Sequence, residues 1–177
     1  IQLGVLKRLR GTPLAQRSLP GAPAQYGMVY DAQAPYTVQC NDAVSADGVQ
    51  TFVRFSRYWD LVANSGRFNA TLPVLLATQA SPFAAFAAFA DWLWAHMGAT
   101  HRLNPEQLVD ALFAYLTGPS GLPSEQVRPV LLDDYVASGA RAKPASLKDL
   151  LPRRMPVQPA AGQGFTQRQQ RHGSTPH

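Results

Sequence analysis

Residues 104–118 read NPEQLVDALFAYLTG, and this stretch commits the chain to a helical fold. Asn104 is a cap residue, and Pro105 fits the first helical position, where its missing N–H is no loss. Gln107 stands three residues after the cap, from where its side chain can reach back to the cap's backbone. Leu108, Ala111, Leu112, Tyr115 and Leu116 fall on one face before Gly118 stops the run, so an amphipathic helix with a buried stripe is expected. Upstream, SPFAAFAAFADWLWAHMG (81–98) repeats the logic. Ser81 caps, Pro82 opens, and Phe83, Phe86, Ala87, Ala90, Leu93, Trp94 and Met97 form the inward face of a helix ending near Gly98.

Farther out the same signals recur. Between Asp47 and Asn64, Val49, Phe52, Val53, Trp59 and Val62 recur at helical spacing, with Ser45 as cap and Gly66 as stop. A last helix is expected through VLLDDYVAS, starting near Pro129 and ending at Gly139. From Pro152 onward Pro, Gly and Gln accumulate and the periodicity is lost, so the tail is expected to be disordered or extended without a partner. At the other end, Ile1, Leu3, Val5 and Leu6 read as a buried strand whose pairing partners must come from elsewhere, and no initiator Met precedes them. RGTPL is a turn, SLPGAPAQYG a loop, and Met28 to Tyr30 and Tyr36 to Cys40 are short extended pieces separated by DAQAP. The expected architecture is mainly α, with about four or five helices. Its parts are residues 1–40, with a few strands, a helical domain over 41–151 and a flexible basic tail over 152–177.

Composition bounds the chemistry. The chain has 177 residues and 46% hydrophobic content, enough for one ordinary domain with a core. Its formal charge is +5 and its pI about 9.7, carried by Arg more than Lys, which favours anionic partners without requiring nucleic acid. The single cysteine, Cys40, excludes an internal disulfide and a cysteine cluster for zinc or iron–sulfur within this chain. It also points to a reducing, cytoplasmic setting. No signal-peptide pattern and no apolar run of membrane-crossing length occur, so a soluble protein with no membrane partner is expected.

Few motifs carry chemistry. Asp133 and Asp134 are adjacent, but helical neighbours point about 100° apart, so they do not share a site easily and at least one is expected in solvent. His96 and His101 flank a helix end without a third ligand, and reading them as cations at the helix C-terminus is preferred to metal binding. The stripe FAAFAAF reads as core rather than a cofactor groove. Arg54, Phe55, Arg57, Tyr58 and Trp59 interleave cations with aromatics as single-strand nucleic-acid binders do. On a helix, though, Trp59 would face inward with Phe52 while Arg54 and Arg57 face out, and packing is the favoured explanation. The motifs G-x-x-x-x-G-K-S/T, G-x-G-x-x-G, G-x-S-x-G and H-E-x-x-H are absent from the sequence. No catalytic residue and no metal ligand is assigned.

Four stretches together resemble one family. QLGVLKRLRGTPL (2–14) resembles the late strand and following loop of the radical S-adenosylmethionine barrel in cobalamin-binding radical enzymes, and APYTVQ (34–39) the extended segment after it. RFSRYWDLVANSGRFNATLPVLL (54–76) is the most specific. Its Arg54, Phe55, Arg57, Tyr58, Trp59, Asp60, Asn64, Gly66, Phe68, Leu72 and Pro73 fit the poorly characterised helical domain that closes these proteins. A weaker match is RQQRH, Arg168 to His172. The resemblance implies that residues 1–40 are the tail end of a radical S-adenosylmethionine barrel. It further implies that the N-terminal cobalamin and radical domains, with three cysteines for a 4Fe-4S cluster, belong to a longer protein. S-adenosylmethionine, the cluster and cobalamin would then be cofactors of that whole protein, none held by this chain alone.

Because the loop after a barrel strand lies at the catalytic face, the resemblance makes Lys7, Arg8, Arg10, Gly11 and Thr12 the residues that approach cofactor or substrate. Arg10 departs from the pattern, which has proline before the Gly-Thr pair. The plainer alternative is that Arg10 to Pro13 simply turn the chain out of the sheet. Asp60 and Asn64, one helical turn apart, could present polar groups to a substrate. The structural reading, with Asn64 capping the helix and Asp60 pairing with Arg57 or Arg67, is preferred. The expected function is an accessory C-terminal portion covering the barrel mouth or shaping substrate access. The competing expectation is a stand-alone basic helical module binding nucleic acid or another anionic partner.

Overall fold

The computed structural model describes residues 1–13, 15 and 25–151. A two-stranded antiparallel sheet, β1 (Val29–Tyr30) and β2 (Val38–Cys40), precedes five helices: α1 (Ala46–Val62), α2 (Thr71–Leu76), α3 (Pro82–Met97), α4 (Pro105–Thr117) and α5 (Ser124–Ala137). A 3-10 turn at Ala145–Leu147 follows. The fold is mainly helical, as the sequence predicts. The tail from Pro152, including Arg168 to His172, and most of the SLPGAPAQYG loop lie outside the described residues. No helix among the described residues is long and apolar enough to cross a membrane.

Local capping chemistry fixes most helix ends. Ser45 Oγ accepts from Gly48 N at 3.2 Å, Ser81 Oγ from Ala84 N at 3.3 Å, and Gln107 Oε1 from Asn104 N at 2.9 Å. Gly98 takes the left-handed conformation, φ 64°, that closes α3. One start differs from expectation. α5 begins at Ser124 and Pro129 lies inside it. The extra turn forms because the Pro123 carbonyl accepts from Gln126 N and Val127 N, at 3.0 and 3.2 Å, and because Val127 is buried in the core. Pro129 then forfeits one helical hydrogen bond near the N-terminus.

The core gathers all five helices with Leu147 and Leu151. Along its centre, Phe55 of α1 meets Phe86 of α3 at 5.1 Å, Phe86 meets Phe89 at 5.7 Å, and Phe89 meets Tyr115 of α4 at 5.2 Å. All three pairs are edge-to-face, the arrangement the ring quadrupole favours. The inward faces are rotated from those expected. In α3, Ala85, Phe86, Phe89, Ala90 and Leu93 are buried, while Phe83 is 66% and Trp94 38% exposed. In α1 the buried residues are Phe55, Ser56, Tyr58 and Val62, while Trp59 is half-buried and Phe52 is 37% exposed. The cause in α1 is packing from two directions. Phe55 and Trp59 lie on α3, while Val49 and Val53 turn toward the hairpin.

Two carboxylates tie short segments to long helices. Asp134, buried in α5, accepts from Ala70 N at 2.9 Å and Thr71 N at 2.7 Å, supplying the N-terminal cap of α2. Asp110 of α4 accepts from Ala145 N, Ser146 N and Ser146 Oγ at 3.0, 2.8 and 2.6 Å, doing the same for the last 3-10 turn. Asp133 is exposed, so the adjacent pair indeed points to two environments.

The opening segment departs from the buried strand expected. Ile1 is 88% exposed and residues 1–6 form no named strand. Only a short stretch pairs, and its partner lies within the chain. Lys7 bridges Thr37 in antiparallel fashion, Arg8 N donates to Tyr36 O and Val38 N to Leu6 O, both at 2.9 Å. Residues 6–8 thus lie along the edge of β2 opposite β1, whose register pairs Val29 with Cys40 and Tyr30 with Val38. Leu3 packs against the core, and Trp59 Nε1 donates to Ile1 O at 3.1 Å.

Candidate functional site

Between the opening segment, the hairpin and α1 lies a cleft of about 560 Å³, a size suited to a small ligand. On the helix it uses Val49, Val53, Ser56 and Asp60, which recur by steps of four and three and so form one stripe, with Gln50 and Arg57 beside it. The stripe is apolar toward its start and charged at its end. Lys7 comes from the opening segment and Asp31 from the turn after β1.

Hydrogen bonding fixes the carboxylates. Asp31 accepts from Gln33 N at 2.9 Å and from Gln39 Nε2 at 3.3 Å. Asp60 Oδ1 accepts from Asn64 Nδ2 at 2.7 Å. The buried Ser56 hydroxyl donates to Val53 O at 2.9 Å. Among the described residues, Lys7 and Arg57 form no ion pair, and the salt bridge present joins Arg128 and Asp149 elsewhere. Two cations and two carboxylates therefore line one cleft without neutralising each other. The arrangement suits binding and positioning of polar molecules.

The sequence-predicted residues divide. Lys7, Arg57 and Asp60, drawn from two separate stretches, meet at the cleft. Arg8 lies instead over the rings of Tyr30 and Tyr36, at 5.6 and 5.8 Å, as a cation–π contact on the sheet. Arg10 is exposed in the turn, Gly11 has φ 81°, and Thr12 Oγ1 donates to Leu9 O at 2.7 Å and accepts from Ala15 N at 3.2 Å. These contacts are those of a turn. Arg54 is not the free outward cation expected: its guanidinium lies 5.1 Å from the Trp94 ring and Nη2 donates to Thr51 Oγ1 at 2.8 Å. Trp59 tethers the opening segment and packs edge-on against Phe86 at 4.8 Å. Asn64 bonds Asp60, which makes no ion pair with Arg57 or Arg67 among the described residues, and Gly66 turns the chain after α1 with φ 69°.

Asp31, Gln39 and Ser56 were not anticipated. Asp31 stands in DAQAP, which reads as a spacer, and nothing local announces that it faces Lys7's segment. Elsewhere, His96 stacks on Trp92 at 4.8 Å, and the described residues contain no group of three or more His, Cys, Asp and Glu able to hold a metal. Burial pushes the Tyr58, Tyr115 and Tyr135 hydroxyls above the usual tyrosine range, while Arg54 opposes the shift at Tyr58. Tyr58 OH donates to Ala99 O at 2.9 Å.

The model of a family described as a protein of unknown function (DUF4080) matches residues 24–172, and the chain belongs to that family. No curated protein and no solved structure matches it significantly.

Proposed function

We propose that this DUF4080 chain is the C-terminal accessory portion of a cobalamin-dependent radical S-adenosylmethionine enzyme, covering the barrel mouth or shaping substrate access. The carrying observation is the cleft. Lys7, at the end of the stretch resembling a late barrel strand, meets Arg57 and Asp60 from the stretch most specific to the closing helical domain. The family is one known to occur with radical S-adenosylmethionine and cobalamin proteins, which adds support. So does the strand edge at Lys7. With Leu6 O and Arg8 N bonded to Val38 and Tyr36, the Lys7 backbone N–H and C=O point the opposite way, leaving an edge another strand could extend.

On this reading the 4Fe-4S cluster, S-adenosylmethionine and cobalamin are held by N-terminal domains of the same longer protein, in the cytoplasm. These residues contribute a lining for the approach to them. The nucleic-acid reading has less support, because Arg54 is already engaged by Trp94 and Thr51. Sequencing the DNA immediately upstream of the Ile1 codon tests the proposal. A continuous reading frame encoding three closely spaced cysteines is expected, and a start codon directly before Ile1 would contradict it.

A further inference from the structure

The cleft carries both signs of charge, and α1 alone supplies one of each. Arg57 and Asp60 project from α1, Lys7 from the opening segment and Asp31 from the hairpin turn. Opposite charges lining one cleft commonly meet in ion pairs, yet here each carboxylate is held by amide donors: Gln39 and the Gln33 backbone on Asp31, Asn64 on Asp60. The cations are left without ionic partners among the described residues. A ligand of one sign would satisfy half of this lining and face repulsion from the rest. A ligand carrying a carboxylate and a protonated amine would complement both, the carboxylate meeting Lys7 and Arg57 and the ammonium meeting Asp31 and Asp60.

We infer that this cleft binds a small zwitterion of the amino-acid or short-peptide class directly on this chain. The inference stands apart from the accessory-domain proposal, because it concerns these residues alone and survives whichever protein they belong to. The volume, about 560 Å³, admits such a molecule, and the Val49 and Val53 side chains in its lining accommodate a modest apolar side chain.

The test uses the full chain, labelled with nitrogen-15, titrated with dialanine, N-acetyl-dialanine and dialanine amide while amide resonances are followed. Dialanine should give saturable shifts at Lys7, Thr37, Arg57 and Asp60, and each capped peptide should bind at least about ten-fold more weakly, as loss of a charge-assisted contact implies. Arg57→Ala should reduce the preference for dialanine over its amide, and Asp60→Asn the preference over the acetylated peptide, with Lys7 and Asp31 keeping the remainder. Both substitutions lie on the exposed face of α1, so a dispersed spectrum should persist and report folding independently. Absence of saturable shifts with dialanine, equal binding of all three peptides, or unchanged preferences in both folded variants would overturn the inference.

Discussion

The two faces of α1 border different kinds of structure. On the α2–α5 side, long side chains are buried and carboxylates are spent on backbone donors. Asp134 caps α2 and Asp110 caps the last 3-10 turn. On the hairpin side, Ile1, Leu6, Val29 and Phe52 are exposed, and Lys7 and Arg57 stand without ionic partners among the described residues. One side uses its polar groups to define the fold. The other keeps them available around a cleft, which is where binding function is expected to sit.

Breaking the first side should cost most. Phe89→Ala removes the ring at the centre of the aromatic chain and is expected to cost about 4 kcal/mol in urea unfolding. Phe83→Ala, on the same helix but largely exposed, should cost about 1 kcal/mol or less. Equal losses would contradict the observed facing of α3. Next, Asp134→Ala strands two backbone donors, the buried Thr71 N–H and the part-buried Ala70 N–H, and should cost about 3 kcal/mol, against about 0.5 kcal/mol or less for Asp133→Ala. The neighbouring pair thereby sharpens the contrast between a structural carboxylate and a solvated one.

Alkali should act on the core side more gently. The Tyr58, Tyr115 and Tyr135 hydroxyls are raised chiefly by burial, so the folded chain holds these protons more tightly than the unfolded chain. Their contribution is present below the ordinary tyrosine value of about 10 and is lost as pH rises above it toward the folded values. Absorbance titration should show these three ionising above the ordinary tyrosine value, together with falling stability. Ionisation of Tyr58, Tyr115 and Tyr135 at the ordinary tyrosine value in the folded chain would contradict the burial. Smallest of all should be Arg57→Ala, expected within about 0.5 kcal/mol of the parent in stability, because the side chain is exposed and unpaired among the described residues. A larger loss would show that the cleft is structural.

Legibility in the sequence followed the range of each interaction. Helix ends at Ser45, Ser81, Asn104 and Gly98 were readable because cap and stop residues act within a turn of themselves. α2 was not, since its cap comes from Asp134, 63 residues from Thr71. In α3 nearly every residue is apolar, so periodicity does not separate Phe89, which is buried, from Phe83, which is not. The cleft was half legible. The resemblance drew attention to Lys7, Arg57 and Asp60, but Asp31 and Ser56 join them only through the fold of the hairpin against α1.

That fold-back is the claim on which the site depends, and the indole of Trp59 reports it. Nuclear Overhauser spectra of the full chain should show cross-peaks from the Trp59 indole N–H to protons of Ile1 and Gln2, together with Lys7-to-Thr37 contacts across the bridge. Random-coil shifts for residues 1–8, with no such cross-peaks, would mean that the opening segment does not close the cleft and that the site does not exist in this form.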